Sequence, residues 1–113
     1  MELQFKTVSV AISGDYYQVM FNDDLNDEDE PYFMIQKQLE LPPGEDCYFE
    51  SHNETLCEHS RTKSVWIKGN KLYISYGENQ TKEVEITFGV NDIDYKYLVS
   101  TLKKMIPDIS VKE

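Results

Sequence analysis

Alternation of apolar and polar positions dominates the first three quarters of the chain. Phe5, Val8, Val10 and Ile12 form a β-rich run that a Gly14-Asp15 turn ends, and Tyr16-Tyr17-Gln18-Val19-Met20-Phe21 follows at hairpin distance. Two antiparallel strands are expected there. After Pro31, Phe33, Ile35 and Leu39 share one face of a third strand and Tyr32, Met34, Gln36 and Gln38 share the other, until Pro42-Pro43-Gly44 closes it. Asp46 to Ser51 predicts a fourth strand through Tyr48 and Phe49. His52 to Thr62 is polar and aperiodic, and reads as a loop.

The clearest hairpin comes next: Val65-Trp66-Ile67-Lys68, a Gly69-Asn70 turn, then Lys71-Leu72-Tyr73-Ile74-Ser75-Tyr76. Val65 and Ile67 should meet Leu72 and Ile74 across one buried face. A last strand places Val84, Ile86 and Phe88 inward and Glu83, Glu85 and Thr87 outward, the half-solvated pattern of an antiparallel sheet. The period then changes. From Asn91, the apolar positions Tyr95, Leu98, Val99, Leu102, Met105 and Ile106 follow helical spacing, with Asn91 or Asp92 as the cap and Pro107 as the stop. Asp92 and Asp94 at its start and Lys103 and Lys104 near its end agree with the helix dipole. The sum is an α+β fold: an antiparallel sheet of six to seven strands with one C-terminal amphipathic helix packed on one face.

At 113 residues the chain is one domain, 1–113, with no repeats and no linker. Its 40% hydrophobic and 12% aromatic content supports a folded core despite a net charge of −10. That charge repels phosphate backbones and anionic lipid, so neither nucleic acid nor a membrane surface is an expected partner. No run approaches a membrane span, and Met1-Glu2-Leu3-Gln4-Phe5-Lys6 has none of the character of a signal peptide, so a cytoplasmic location is expected.

Charge is concentrated at one place. Asp23, Asp24, Asp27, Glu28, Asp29 and Glu30 precede the Tyr32 strand, which is the arrangement of an acidic loop docked on a basic surface. Tyr16, Tyr17, Tyr32 and Trp66 are the aromatics available as anchors. The same run also reads as a solvated, solubilising loop. As a calcium loop it fails, because it lacks the central glycine and the terminal bidentate glutamate.

Cys47, His52, Cys57 and His59 form the other cluster, and thiolates with imidazoles are zinc-type ligands. Their spacing is not the two close pairs of structural zinc, so no metal is assigned. Cys57 and His59 on an extended segment have no orienting carboxylate in reach, since Glu58 between them points away. Gly14, Gly44, Gly69, Gly77 and Gly89 are isolated, which leaves no phosphate loop, nucleophile elbow or dinucleotide fingerprint. The chain reads as a binder and not an enzyme, with no cofactor.

The segment Tyr32-Phe33-Met34-Ile35-Gln36-Lys37, followed after a Pro/Gly break by Cys47-Tyr48-Phe49-Glu50, resembles the immunity protein 10 family of bacterial polymorphic-toxin systems. Met34, Gln36 and Lys37 fall on the family's aliphatic-x-Gln-basic strand, Glu45 and Asp46 on its acidic stretch, and Tyr48 and Glu50 on its aromatic-x-Glu strand. The later hairpin, the Glu85-Ile86-Thr87-Phe88 strand and a helix through Leu98, Leu102 and Ile106 follow in similar order. The chain departs from the pattern at Cys57-Glu58-His59-Ser60-Arg61, where a small glycine-rich turn is expected. The resemblance implies a cytosolic protein that neutralises a cognate toxin domain. On charge, and not on any family motif, the acidic run would then stand in for substrate phosphates if the toxin is a nuclease, with Tyr32 and Trp66 as anchors. Two rival readings are a zinc protein built on Cys47, His52, Cys57 and His59, and a homodimer formed through an exposed aromatic face.

Overall fold

A computed structural model describes residues 1–23, 31–38, 47–89 and 95–112. Its strands are β1 (Glu2–Phe5), β2 (Thr7–Ser13), β3 (Tyr16–Asn22), β4 (Tyr32–Gln38), β5 (Cys47–Ser51), β6 (Glu58–Ser60), β7 (Thr62–Lys68), β8 (Lys71–Tyr76), β9 (Lys82–Phe88) and β10 (Ser110–Lys112). One helix, α1, spans Tyr95–Met105, and a short 3₁₀ turn spans Glu54–Leu56. The strands form two five-stranded sheets and not one sheet of six or seven. One runs β2-β3-β4-β5-β6, antiparallel throughout; the other runs β1-β9-β8-β7-β10, with β1 parallel to β9 and β10 parallel to β7.

Both hairpins form as expected, with Val10 opposite Val19, Val65 opposite Ile74 and Ile67 opposite Leu72. The first run is broken where a single strand was expected. Leu3 and Phe5 are odd-numbered, Val8 and Val10 even-numbered, and the change of phase falls at Lys6, where the chain leaves one sheet for the other. A second crossing falls at Arg61, between β6 and β7. The expected loop from His52 to Thr62 therefore carries structure: Asn53 Oδ1 caps the 3₁₀ turn by accepting the Thr55 N–H at 3.1 Å, and β6 follows it.

The inner faces of the two sheets pack together. Phe49 on β5 stacks on Tyr76 of β8 with ring centroids 3.9 Å apart, and Phe21 on β3 meets Phe88 of β9 at 5.3 Å. Val19, Phe33, Ile35, Ile67, Leu72, Ile74, Val84 and Ile86 are fully buried in the same core. Leu98, Leu102 and Met105 of α1 join it, so the helix adds to a core that both sheets share instead of covering one face of a single sheet. α1 stops before Pro107 with Lys103 and Lys104 in its last turn, as expected; Asn91, Asp92 and Asp94 lie outside the described residues. No helix among the described residues is long and apolar enough to cross a membrane.

Candidate functional site

On the antiparallel sheet, strand alternation sends Phe33, Ile35, Lys37, Cys47 and Phe49 inward and Tyr32, Met34, Gln36, Tyr48 and Glu50 outward. The register of β4 on β5 sets Met34 opposite Glu50 and Gln36 opposite Tyr48. The register of β3 on β4 adds Met20 opposite Met34 and Gln18 opposite Gln36. The outer face is thus a patch of glutamines and tyrosines around one carboxylate, with Met20 partly buried and Met34 buried among them.

That carboxylate is held from both sides. The Tyr32 hydroxyl donates to one oxygen of Glu50 at 3.1 Å, and the Tyr48 hydroxyl donates to the other at 3.1 Å. Burial first, and then the hydrogen bond to Glu50, push the Tyr32 phenol up to about 12. The bond to Glu50 is the leading reason the Tyr48 phenol is raised; burial leads at Tyr16, with the Glu50 charge second. Gln36 Nε2 donates to Gln18 Oε1 at 3.0 Å and lies 3.2 Å from the Met34 sulfur. The side chains of this face are therefore mutually oriented before any partner arrives, which lowers the ordering cost of binding. With one phenol on each oxygen, the Glu50 carboxylate still has lone pairs for a guanidinium or ammonium group.

The histidines border this patch without joining into a metal site. His59 stacks on Tyr48 with ring centroids 4.6 Å apart, and His52 Nδ1 accepts the Tyr32 N–H at 3.1 Å. Cys47 is buried on the inner face with its sulfur 4.0 Å from the Met105 carbonyl, whereas Cys57 donates to the Ser51 carbonyl at 3.5 Å. Cys47 and His59 lie on opposite faces of the sheet, because His59 pairs with Tyr48. Among the described residues, no group of three or more His, Cys, Asp or Glu side chains could hold a metal ion. Glu58 turns away from His59, as expected, and meets Lys82 at 2.8 Å; that hydrogen bond is the main reason its carboxyl lies below the usual range.

The expected anchors do not come together. Tyr32 belongs to the patch, but Trp66 lies on the outer face of the other sheet, stacked on Tyr73 at 5.7 Å with the Lys112 ammonium 4.8 Å from its ring centroid. Of the acidic run, Asp23 accepts the Lys6 N–H at 2.9 Å and braces the sheet crossing. Asp24, Asp27, Glu28, Asp29 and Glu30 lie outside the described residues, as do Glu45 and Asp46. Lys37, on the strand singled out by sequence, faces inward. It lines a cleft of about 500 Å³ with Arg61, Thr62, Met105, Ile106, Pro107 and Asp108.

Glu50, Tyr48, Gln36 and Met34 are visible in the sequence only as similarity positions, and strand pairing is what makes them one surface. Gln18 and Met20 were missed as site residues. Their signal was the shared outward phase of the two strands, which pairing alone turns into contact. Comparison with family models, with curated proteins and with solved structures finds no match to this chain.

Proposed function

We propose that this chain is a cytoplasmic immunity protein: a non-catalytic inhibitor that binds a cognate bacterial toxin domain through the outer face of the β2-to-β6 sheet. The observation that carries the reading is the Glu50 carboxylate fixed between Tyr32 and Tyr48. An oriented carboxylate between aromatic rings offers a cation an ion pair and a stacking surface together, which is how arginine-centred contacts gain strength. The resemblance to the immunity protein 10 family supports it, because Met34, Gln36, Tyr48 and Glu50 all fall on this patch.

The partner is a toxin domain with a basic surface, drawn in by the net charge of −10. If it is a nuclease, carboxylates laid over its cleft take the place of substrate phosphates and no turnover is required. Asp23, Asp24, Asp27, Glu28, Asp29 and Glu30 act as the steering element, Glu50 as the paired charge, and Tyr32 with Tyr48 as the anchors. Trp66, on the other sheet, would need a separate contact.

Co-expression with the toxin domain that this reading expects beside the gene tests it. Protection of growth and a one-to-one complex are expected, and Glu50→Ala should weaken that complex at least about tenfold. Failure to protect, with no complex formed, would overturn it.

A further inference from the structure

We propose that the cleft beside the C-terminal end of α1 binds a small monocarboxylate with an apolar body. Strand β4 brings Lys37 to it, the β6–β7 crossing brings Arg61, and the turn after α1 brings Ile106, Pro107 and Asp108. Its volume of about 500 Å³ is in the range of small-molecule sites. Lys37 faces inward whereas Glu50 faces outward, so this site is independent of the toxin-binding face.

A lysine in the inward row of β4 carries its charge into a layer that strand alternation otherwise fills with Phe33 and Ile35. Lys37 is 6% exposed, and its remaining surface belongs to the wall of the cleft. Its ammonium has three N–H donors, and the Met105 carbonyl at 2.6 Å takes one. Among the described residues no other acceptor and no carboxylate reaches it. The carbonyl and the negative end of α1 offset part of the charge. The other two donors border a cleft large enough for a ligand, and a buried ammonium so placed calls for an anion.

The lining decides which anion. Lys37 and Arg61 are positive and Asp108 negative, so the cleft has a net charge of +1. A monoanion cancels it, whereas a dianion would leave surplus negative charge in a chain that already carries −10. One carboxylate oxygen accepts from Lys37 and the other from Arg61, whose five N–H donors suffice for an interaction within the chain and for the ligand as well. Exposed Pro107 and the edge of Ile106 supply apolar surface for the rest of the ligand. Lys37 is out of reach of a protein surface, and only a small ligand entering the cleft meets it.

Hexanoate, its neutral counterpart hexanamide and inorganic phosphate, each followed by amide NMR shifts at constant ionic strength, test the proposal. Hexanoate should give saturable shifts centred on Thr62, Ile106 and Asp108, with hexanamide and phosphate at least about tenfold weaker. Lys37→Met also removes the bond to Met105 and so perturbs the fold; Arg61→Gln and Asp108→Asn, at exposed positions, address the site alone. Arg61→Gln should weaken hexanoate at least about threefold, and Asp108→Asn, which removes the negative charge of the lining, should tighten it by a similar factor. No saturation by hexanoate, which would leave the cleft to water, would overturn the proposal. Equal binding of hexanamide, tighter binding of phosphate, or no response to either substitution would do the same.

Discussion

The Lys37 ammonium donates to the Met105 carbonyl at 2.6 Å, joining the inner face of β4 to the C-terminal end of α1. Both residues are buried, Lys37 to 6% exposure. A cation at a helix C-terminus meets the negative end of the helix dipole and satisfies a carbonyl that has no partner within the helix. Lys37 therefore serves the fold and is not presented to a partner. Lys37→Met keeps most of the side-chain volume but leaves that carbonyl only the weak Cys47 thiol contact at 4.0 Å, so unfolding free energy should fall by about 1–3 kcal/mol. Denaturant titration checks this. A change below about 0.5 kcal/mol would mean that the bond contributes no more than an ordinary surface contact.

The Tyr32 phenol gives a second prediction. Its value is raised from 10.0 to about 12, so the folded protein keeps a proton that the unfolded chain releases. The resulting stabilisation is complete below pH 10 and is lost as pH rises through about 12. Glu50→Gln removes the charge but leaves the burial, the larger cause, so Tyr32 should titrate lower than in wild type yet still above 10.0. The Tyr32 ring-carbon shift followed by NMR reads this directly. Unchanged titration in Glu50→Gln would show that the carboxylate does not act on the phenol.

How far the sequence reveals such contacts depends on how local they are. The Gly69-Asn70 hairpin is legible because period and turn agree, and its register follows from the turn. Lys37 is legible in part: it shares the inward parity of Ile35, and a lysine in an apolar row requires a buried acceptor. The partner, 68 residues away, is not encoded locally. The crossing at Lys6 leaves only a phase change between Phe5 and Val8. The parallel pairings of β1 with β9 and β10 with β7 leave no local mark, and the exposed Ser110-Val111-Lys112 has no buried face to announce it. The site shares this difficulty. Tyr32 and Glu50 are visible individually, but the register of β4 on β5, which joins them, is fixed by tertiary packing.

Metal content provides a third prediction. Cys47 faces the core beside Met105 while His59 lies against Tyr48 on the outer face, so the four soft ligands cannot converge without breaking the β5–β6 pairing. Purified protein should carry no stoichiometric zinc, and a chelator should leave its melting temperature unchanged. Zinc near one per chain, with a chelator-induced loss of stability, would require a different packing of β5 and β6.

The last prediction concerns the crossing itself. A Cβ on Gly89 would collide with the backbone carbonyl of Lys6, where the chain passes from β1 to β2. The obstacle is main chain, held in place by the pairing of Phe5 with Phe88 on one side and by the bond from the Lys6 N–H to Asp23 on the other. No side-chain rotation can relieve the contact. Gly89→Ala should therefore destabilise the fold by about 1–3 kcal/mol through forced backbone movement. By comparison, Gly14→Ala meets no neighbouring atoms, and its cost arises only from the φ of +61° at the hairpin turn. Thermal or denaturant unfolding of the two variants separates these causes. Because the strain at residue 89 pushes on the β1–β2 crossing, hydrogen exchange in Gly89→Ala should accelerate at Lys6, whereas Gly14→Ala should loosen only the turn. Wild-type stability in Gly89→Ala would show that the Lys6 carbonyl does not approach residue 89 so closely.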